Sequence, residues 1–580
     1  MKGYFGVQRA AMPAGAAQPL TERERALVRE AYERLEVFRE GCREMHERAR
    51  EARRIALLED PWQDEPGTPQ ERRTLQLQTL KATLNSSVAD QMDSMPEAVL
   101  LPEREQEAQT AEDLADIVRF ILEQNHYEVL HRRRVEDCFI TGTAVTQIVW
   151  DGDMDAGQGN VAMLRWPVEA FLWDPVAEDI QDARALIKVS WHPMSWYAAH
   201  YPQAAAYVGA EEYAHEEVGV PDAWQERQGA DEERAMMLEY WYRLYDARTR
   251  RYSVHVALLA GGALLEASES ENPDGIFAHG LYPFVLDVHT PIEGVPVGNG
   301  MMHEFAPMMR YINRYARYID ENLRMSSKTR LLVRRDAQID NAALTDWQQN
   351  IVEAGNIDED AVRWMTSAPL SGLVTAQMLQ MQNDIKQDSG QNQFTRGETV
   401  GGVTAASAIA SLQEAGGKVS RLRTAALNQG FARMVEQIIW LVSEFYGKGR
   451  AQRVTGRNGQ IRQVVWQGTG RVRGVLPPPP YTVRVEIQRR NPMRVQARNE
   501  LFLQAYTMAS QAGAPFPLSA LFELLETDGK EQVLAVIRRA EADGQAKQRR
   551  ENEDGTKADG TPTGASGQGC LLYTSPSPRD

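Results

Sequence analysis

Apolar residues recur at helical spacing over much of the chain and alternate over a few shorter stretches, which predicts a mixture of helices and strands. Thr21 followed by Glu24 forms a capping box, and it opens a charge-laced helix over 21–58 with Leu27, Ala31, Leu35 and Phe38 on one face. A second helix spans 69–95, ended by Pro96 and the extended VLLP. A third runs from Thr110 to Arg134, with its break expected near Gly142. Alternation then takes over: strands at Ala144–Trp150, closed by the Asp151-Gly152 turn, across Val161–Trp173, closed by Asp174-Pro175, and at Ala185–Trp191. Met237 to Glu266 reads as a hairpin turning on Ala247–Arg250. Residues 280–300, rich in Gly and Pro, read as an extended linker.

After the linker the period changes. A helix spans Met302–Met325, a short strand Thr329–Arg334, and a polar stretch runs to Ser371. Leu373 to Asp388 is helical again. The next segment, QDSGQNQFTRGETVGGVT (387–404), holds four glycines and only Phe394 as a bulky apolar residue. Such a segment cannot bury enough surface to order itself. It leads into a long helix with Phe431, Met434, Val435, Ile438, Leu441, Val442 and Phe445 at steps of three and four. A loop carried on an anchored helix is a common seat of function; the alternative is an idle surface connection. Gly416-Gly417 interrupts that helix, as a kink, as a site of close packing or simply as tolerated glycines. Strands return over Arg453–Gln488, broken by Pro477–Pro480, and Arg498–Ala542 is helical. Beyond Gly544 the composition favours disorder. Strands before 300 and after 450 flank the helical middle, so the middle reads as an insertion projecting from a mixed α/β body completed from both sides.

The Met302–Met325 helix has two faces. Phe305, Met308, Ile312, Tyr315, Ile319 and Leu323 line one, and Arg310, Arg314, Arg317 and Arg324 line another. The arginine stripe suits a polyanion or an acidic neighbouring subunit. Equally, it suits a solvated face with internal pairs such as Arg317 to Glu321.

Composition narrows the chemistry. The chain has 580 residues, more than one core usually serves. No apolar run approaches the length of a membrane span, and the N-terminus lacks a signal-peptide h-region, so the protein is expected to stay in the cytosol. The net charge of −17 excludes a general DNA clamp, because phosphate neutralisation supplies most non-specific affinity. Three cysteines, Cys42, Cys138 and Cys570, form no zinc-type pair, and His126/His131 and His192/His200 lack ligand spacing. No metal or other cofactor is expected. P-loop, GxSxG, HExxH and dinucleotide-binding motifs are missing. Asp174, Glu178, Asp179 and Asp182 could serve a metal-dependent nuclease or be ordinary post-strand loop acids. CLLYTSPSPRD (570–580) resembles a translated transposase-type sequencing adapter; the alternative is a genuine disordered tail.

The ordered set of segments resembles the portal (head-to-tail connector) proteins of tailed phages over roughly 70–540. RRRVEDCFITGTAVTQIVWD (132–151) is similar to that family's helix–Gly–strand entry, and VEAFLWDPVAEDIQDARALIKVSWHPMSWYAAHYP (168–202) to its Phe…Asp-Pro…Asp-Ala-Arg stretch. The 281–321 segment, with Gly298, Gly300, Pro307 and Asn313, resembles the approach to the stem. TRGETVGGVTAASAIASLQE (395–414), with Thr404, Ala405 and Ile409, resembles the tunnel loop entering its long helix. Ala406–Ser407 stands where relatives often carry an acid, so a carboxylate role there has no carrier.

The resemblance implies a mainly helical α+β portal fold. It comprises a flexible N-terminus (1–20), a wing (21–295), a first stem helix (296–325), a clip (326–372), a second stem helix (373–388), a tunnel loop (389–404), a long kinked helix (405–447), wing return strands (448–492), a crown (493–545) and a disordered tail (546–569). It implies a ring, usually a dodecamer, at the capsid vertex of the virion, assembled in the host cytoplasm, through which double-stranded DNA is packaged and ejected. The implied partners are the large terminase, the major capsid and scaffolding proteins and the head-completion adaptor, with no membrane and no catalytic activity. Lys386, Gln391, Arg396, Gly397, Gly401 and Gly402 become the channel-proximal residues, beside the arginine stripe and the Gly416-Gly417 kink. The competing readings are another phage head or tail adaptor and the metal-dependent nuclease.

Overall fold

The capping box forms as its sequence requires. Thr21 accepts from the Glu24 amide while the Glu24 carboxylate accepts from the Thr21 amide, opening α1 (Glu22–Ala56). Its stripe of Leu27, Ala31, Leu35, Phe38 and Cys42 is buried against a five-stranded antiparallel sheet. In the computed structural model the described residues are 18–58, 77–104, 107–209, 234–247, 250–327, 330–340, 342, 351, 353, 355, 362–365, 370–391, 418–447, 449–455, 461–466, 481–489, 492–511, 517–525, 533, 534 and 536–541. They fall into two compact units, Met1–Arg489 and Arg490–Asp580.

In the first unit, α2 (Thr79–Met92) leads directly into strand β1 (Ser94–Pro102). The helix thus ends short of the expected 95, and Pro96 lies within the strand. The single helix expected over Thr110–Arg134 is two, α3 (Ala108–Gln124) and α4 (Tyr127–Thr141). The break falls not near Gly142 but at His126, whose backbone is left-handed (φ 49°); Gly142 (φ 92°) instead ends α4. Asn125 sustains the break: its side chain donates to the Ile121 and Val161 carbonyls and accepts from the Met163 amide.

Two sheets follow. β2 (Thr143–Asp151) lies between β3 (Asn160–Trp166) and a later strand. The second sheet runs in the order β4 (Phe171–Trp173), β5 (Ala185–Pro193), β6 (Arg234–Asp246), β7 (Arg251–Ala260), β8 (Ala263–Ala267). The expected hairpin turn joins β6 to β7. The Val161–Trp173 region is not one strand: Val168–Ala170 forms a 3-10 turn that passes the chain from the first sheet to the second. Lys188 and Glu239 face one another across β5 and β6 as a buried ion pair, and the Lys188 ammonium also donates to Gln147 of β2 at 3.1 Å.

The supposed linker at 280–300 contains β9 (Phe284–Val288), the missing neighbour of β2. Gly and Pro around it obscure a short inward-facing strand. The pair β10 (Thr290–Pro291) and β11 (Gly298–Asn299) follows, then α5 (Met301–Ser327). The β9–α5 connection packs on α4 at glycines: a Cβ on Gly142 would lie 2.1 Å from the Gly298 carbonyl oxygen, and one on Gly300 2.2 Å from that of Ile140. Strand β12 (Arg330–Val333) pairs with β13 (Val362–Met365), which the polar stretch to Ser371 conceals. Helix α6 (Gly372–Asp388) precedes α7 (Lys418–Phe445). Beyond it come β14 (Ala451–Thr455), β15 (Ile461–Val465) and β16 (Tyr481–Arg489). β16 pairs along its whole length with β1, so strands from either side of the helical middle complete each other. The second unit contains α8 (Pro492–Gln511) and α9 (Leu518–Leu524).

Candidate functional site

The α5–α6 pair has an inner and an outer half. Met301, Met302, Phe305, Ala306, Met309, Ile312 and Ala316 of α5 are buried, joined by Ile385 of α6, with Val135 and Phe139 of α4. The stripe is rotated from the predicted one: Met309 and Ala316 are buried, whereas Tyr315 is half-exposed and Leu323 is 62% exposed. Burial stops after Ala316. On the outer half, Tyr318, Leu323 and Met325 of α5 and Leu373 and Leu379 of α6 are exposed. Ser371 caps α6 by accepting from the Leu373 amide.

The arginine stripe is partly compensated within the chain. Arg310 reaches Glu51 of α1 at 2.5 Å, and Arg324 pairs with Asp320 one turn back at 2.8 Å. Arg314 lies 5.5 Å from the centre of the Tyr311 ring, and Arg317 is half-buried. Arg324 thus has a partner on its own helix, whereas Arg310 ties α5 to α1.

At the foot of α6, Lys386 sits in the last turn, and Ser389 donates back to its carbonyl. Gln391, expected to face a channel, is 4% exposed and turned inward onto α2: its carbonyl accepts from Ser86, and its amide donates to Asp90 at 2.7 Å. Arg396, Gly397, Gly401, Gly402, Gly416 and Gly417 lie outside the described residues, as do the tail expected beyond Gly544 and the adapter-like 570–580.

The acidic cluster does not converge. Asp174 is bound by Arg184 at 2.7 Å and accepts from the Val176 amide, and the Asp179 carboxylate accepts from the Gln181 amide. Arg184 holds the Asp174 carboxyl below its usual range. Among the described residues no group of three His, Cys, Asp or Glu side chains could hold a metal ion. Asp174 and Asp179 thus cap turns, and Asp174 also pairs with arginine. His131 is packed beside Tyr127 and Arg134, and His192 and His200 sandwich Trp196.

The family model described as Phage P22-like portal protein matches residues 32–561. The chain belongs to the P22-like portal family. It is a phage portal protein, the head-to-tail connector of the capsid, acting in DNA packaging. No curated protein matches it. Among the described residues no helix is long and apolar enough to cross a membrane.

Sequence reasoning missed the group that seats α7 in this portal subunit. Arg134 of α4, 1% exposed, makes a two-pronged ion pair with Asp287 of β9. The same guanidinium donates to the Leu427 carbonyl of α7 at 2.6 Å and to the Tyr127 hydroxyl at 2.5 Å. Burial opposes its charge, but Asp287 and Tyr127 outweigh burial and hold the guanidinium above its ordinary pKa. One signal was available: Asp287 is a lone charge within the apolar run YPFVLDV. Arg134 was hidden in the run HRRR.

Proposed function

We propose that copies of this portal subunit close into a ring of twelve, with the α5–α6 hairpin as its stem. The observation that carries this reading is the exposed apolar outer half of that hairpin: Leu323, Met325, Leu373 and Leu379, which one chain leaves exposed. Several large apolar residues exposed on one hairpin suit a protein contact, and a neighbouring copy is the partner that repeats around a ring. In this reading residues 21–295 and 448–492 form the wing, 326–372 the clip and 493–545 the crown. The ring sits at the capsid vertex of the virion, where the large terminase, the capsid and scaffolding proteins and the head-completion adaptor dock.

Double-stranded DNA passes through the centre. The net charge of −17 suits passage over grip, because phosphates find few fixed counter-charges to release ions against. Lys386, Arg396 and the glycines Gly397, Gly401 and Gly402 form the channel-proximal segment, and Gln391 fastens its start. Arg310, Arg314, Arg317 and Arg324 supply transient phosphate or subunit contacts, each weak and multiplied by the copy number. Gly416 and Gly417 bend the following helix toward the wing. The chain has no catalytic role in this account and needs no cofactor.

Electron microscopy of the purified protein tests the proposal. Rings with a central hole, twelve subunits by mass, support it. A monomer that cleaves DNA with divalent ions overturns it.

A further inference from the structure

Helix α2 carries two kinds of inward residue. Leu80, Leu84 and Val88 enter the core with α4 and α5, while Ser86, Ser87, Asp90 and Gln91 form a polar face. That face meets the chain at two places far apart in sequence. Just after α6, the Gln391 carbonyl accepts from Ser86 at 2.9 Å, and its amide donates to Asp90 at 2.7 Å and Ser87 at 3.4 Å. At the start of α7, Thr424 donates to the Gln91 carbonyl at 2.9 Å, and the Gln91 amide donates to Ser420 at 3.4 Å. The two ends also touch directly. Arg423 donates to the Ser389 carbonyl at 2.8 Å, and Gly390, left-handed at φ 82°, packs against Val419 so closely that a Cβ would lie 3.0 Å from it.

Ser87, Gln91, Ser389 and Gln391 are all under 5% exposed. Buried polar groups cost free energy unless bonded. Apolar packing tolerates a helix sliding by part of a turn, whereas this bonding pattern is satisfied in one register only. We infer that the polar face of α2 is a clasp that fixes where the chain leaves α6 and where it re-enters α7, with Asp90 and Gln91 as positioning residues. Its consequence for DNA rests on the channel reading of 389–404 given above; the clasp itself does not.

The test uses the full-length assembled protein and hydrogen–deuterium exchange. Gln91→Leu keeps the volume and removes both bonds to α7. Exchange over 418–424 should rise about tenfold, the scale of one or two lost buried hydrogen bonds, while 431–442 stays unchanged. Asp90→Ala should raise exchange at 389–391, and Asp90→Asn, which keeps an acceptor for Gln391, should restore it. Unchanged exchange in both Gln91→Leu and Asp90→Ala overturns the clasp, as does a uniform rise along all of α7. The same variants are then scored for DNA-filled particles in a complementation assay. Locally raised exchange with normal filling supports the clasp and removes the channel reading of the segment it positions.

Discussion

Gly430 of α7 lies so close to Asp287 of β9 that a Cβ at that position would sit 1.8 Å from the carboxylate oxygen. The absent side chain is what lets the helix backbone close over the Arg134–Asp287 pair. Gly430→Ala should therefore displace either the helix or the carboxylate and cost about 3 kcal/mol, the scale of a disrupted buried ion pair. Thermal unfolding followed by circular dichroism checks this, and an unchanged melting temperature would show that the helix shifts at little cost.

The ion pair itself should behave asymmetrically. Arg134→Met leaves Asp287 buried without its partner and should destabilise by about 3–5 kcal/mol. Adding Asp287→Leu removes the orphaned charge and should recover much of that loss. Denaturant midpoints of the two variants measure the difference; a double variant as unstable as the single one would assign the cost to lost packing.

Acid should loosen the α1 seat. His46 is 3% exposed, bonded to the Phe171 carbonyl at 3.1 Å, and burial lowers its pKa to about 4. The unfolded chain binds that proton first, near the ordinary value of about 6.5. Its contribution is thus complete above about pH 6.5 and is lost as pH falls toward 4, by about 3 kcal/mol. Stability measured across that window should fall with a shallower slope in His46→Gln, and equal slopes would rule His46 out as the source.

The outer half of the α5–α6 hairpin should matter for assembly and not for folding. Leu323→Lys together with Leu373→Lys replaces two exposed side chains, so the monomer should change by no more than about 0.5 kcal/mol. Ring formation, read by light scattering and electron microscopy, should drop sharply. Normal rings from this variant would place the subunit contact elsewhere.

Deleting residues 392–402, which spares Gln391 and its bonds to α2, should leave rings intact and lower DNA packaging or retention, measured as the fraction of filled particles. Loss of rings on the same deletion would make that segment a structural part of the assembly.

Local pattern reached far into this chain. The capping box at Thr21 and Glu24, the α1 stripe, the strands at Ala144–Trp150 and Ala185–Trp191 and the Met237–Glu266 hairpin are set by neighbours a few residues apart, and such signals survive in any fold. The order of segments also carried the family. Other features depended on partners distant in sequence. The strand Phe284–Val288 looked like a linker because it is short and flanked by Gly and Pro; its pairing with Thr143–Gln147 makes it a strand. The break at His126 depends on Asn125 bonding across to Val161 and Met163. Gln391 read as a solvent-facing loop residue until α2 supplied its three partners. Periodicity records how a segment meets an apolar surface, and the sequence by itself determined that much. Which polar groups meet across the core was decided only by the tertiary structure, because a buried charge or amide is stable only where its partner is brought to within about 3 Å.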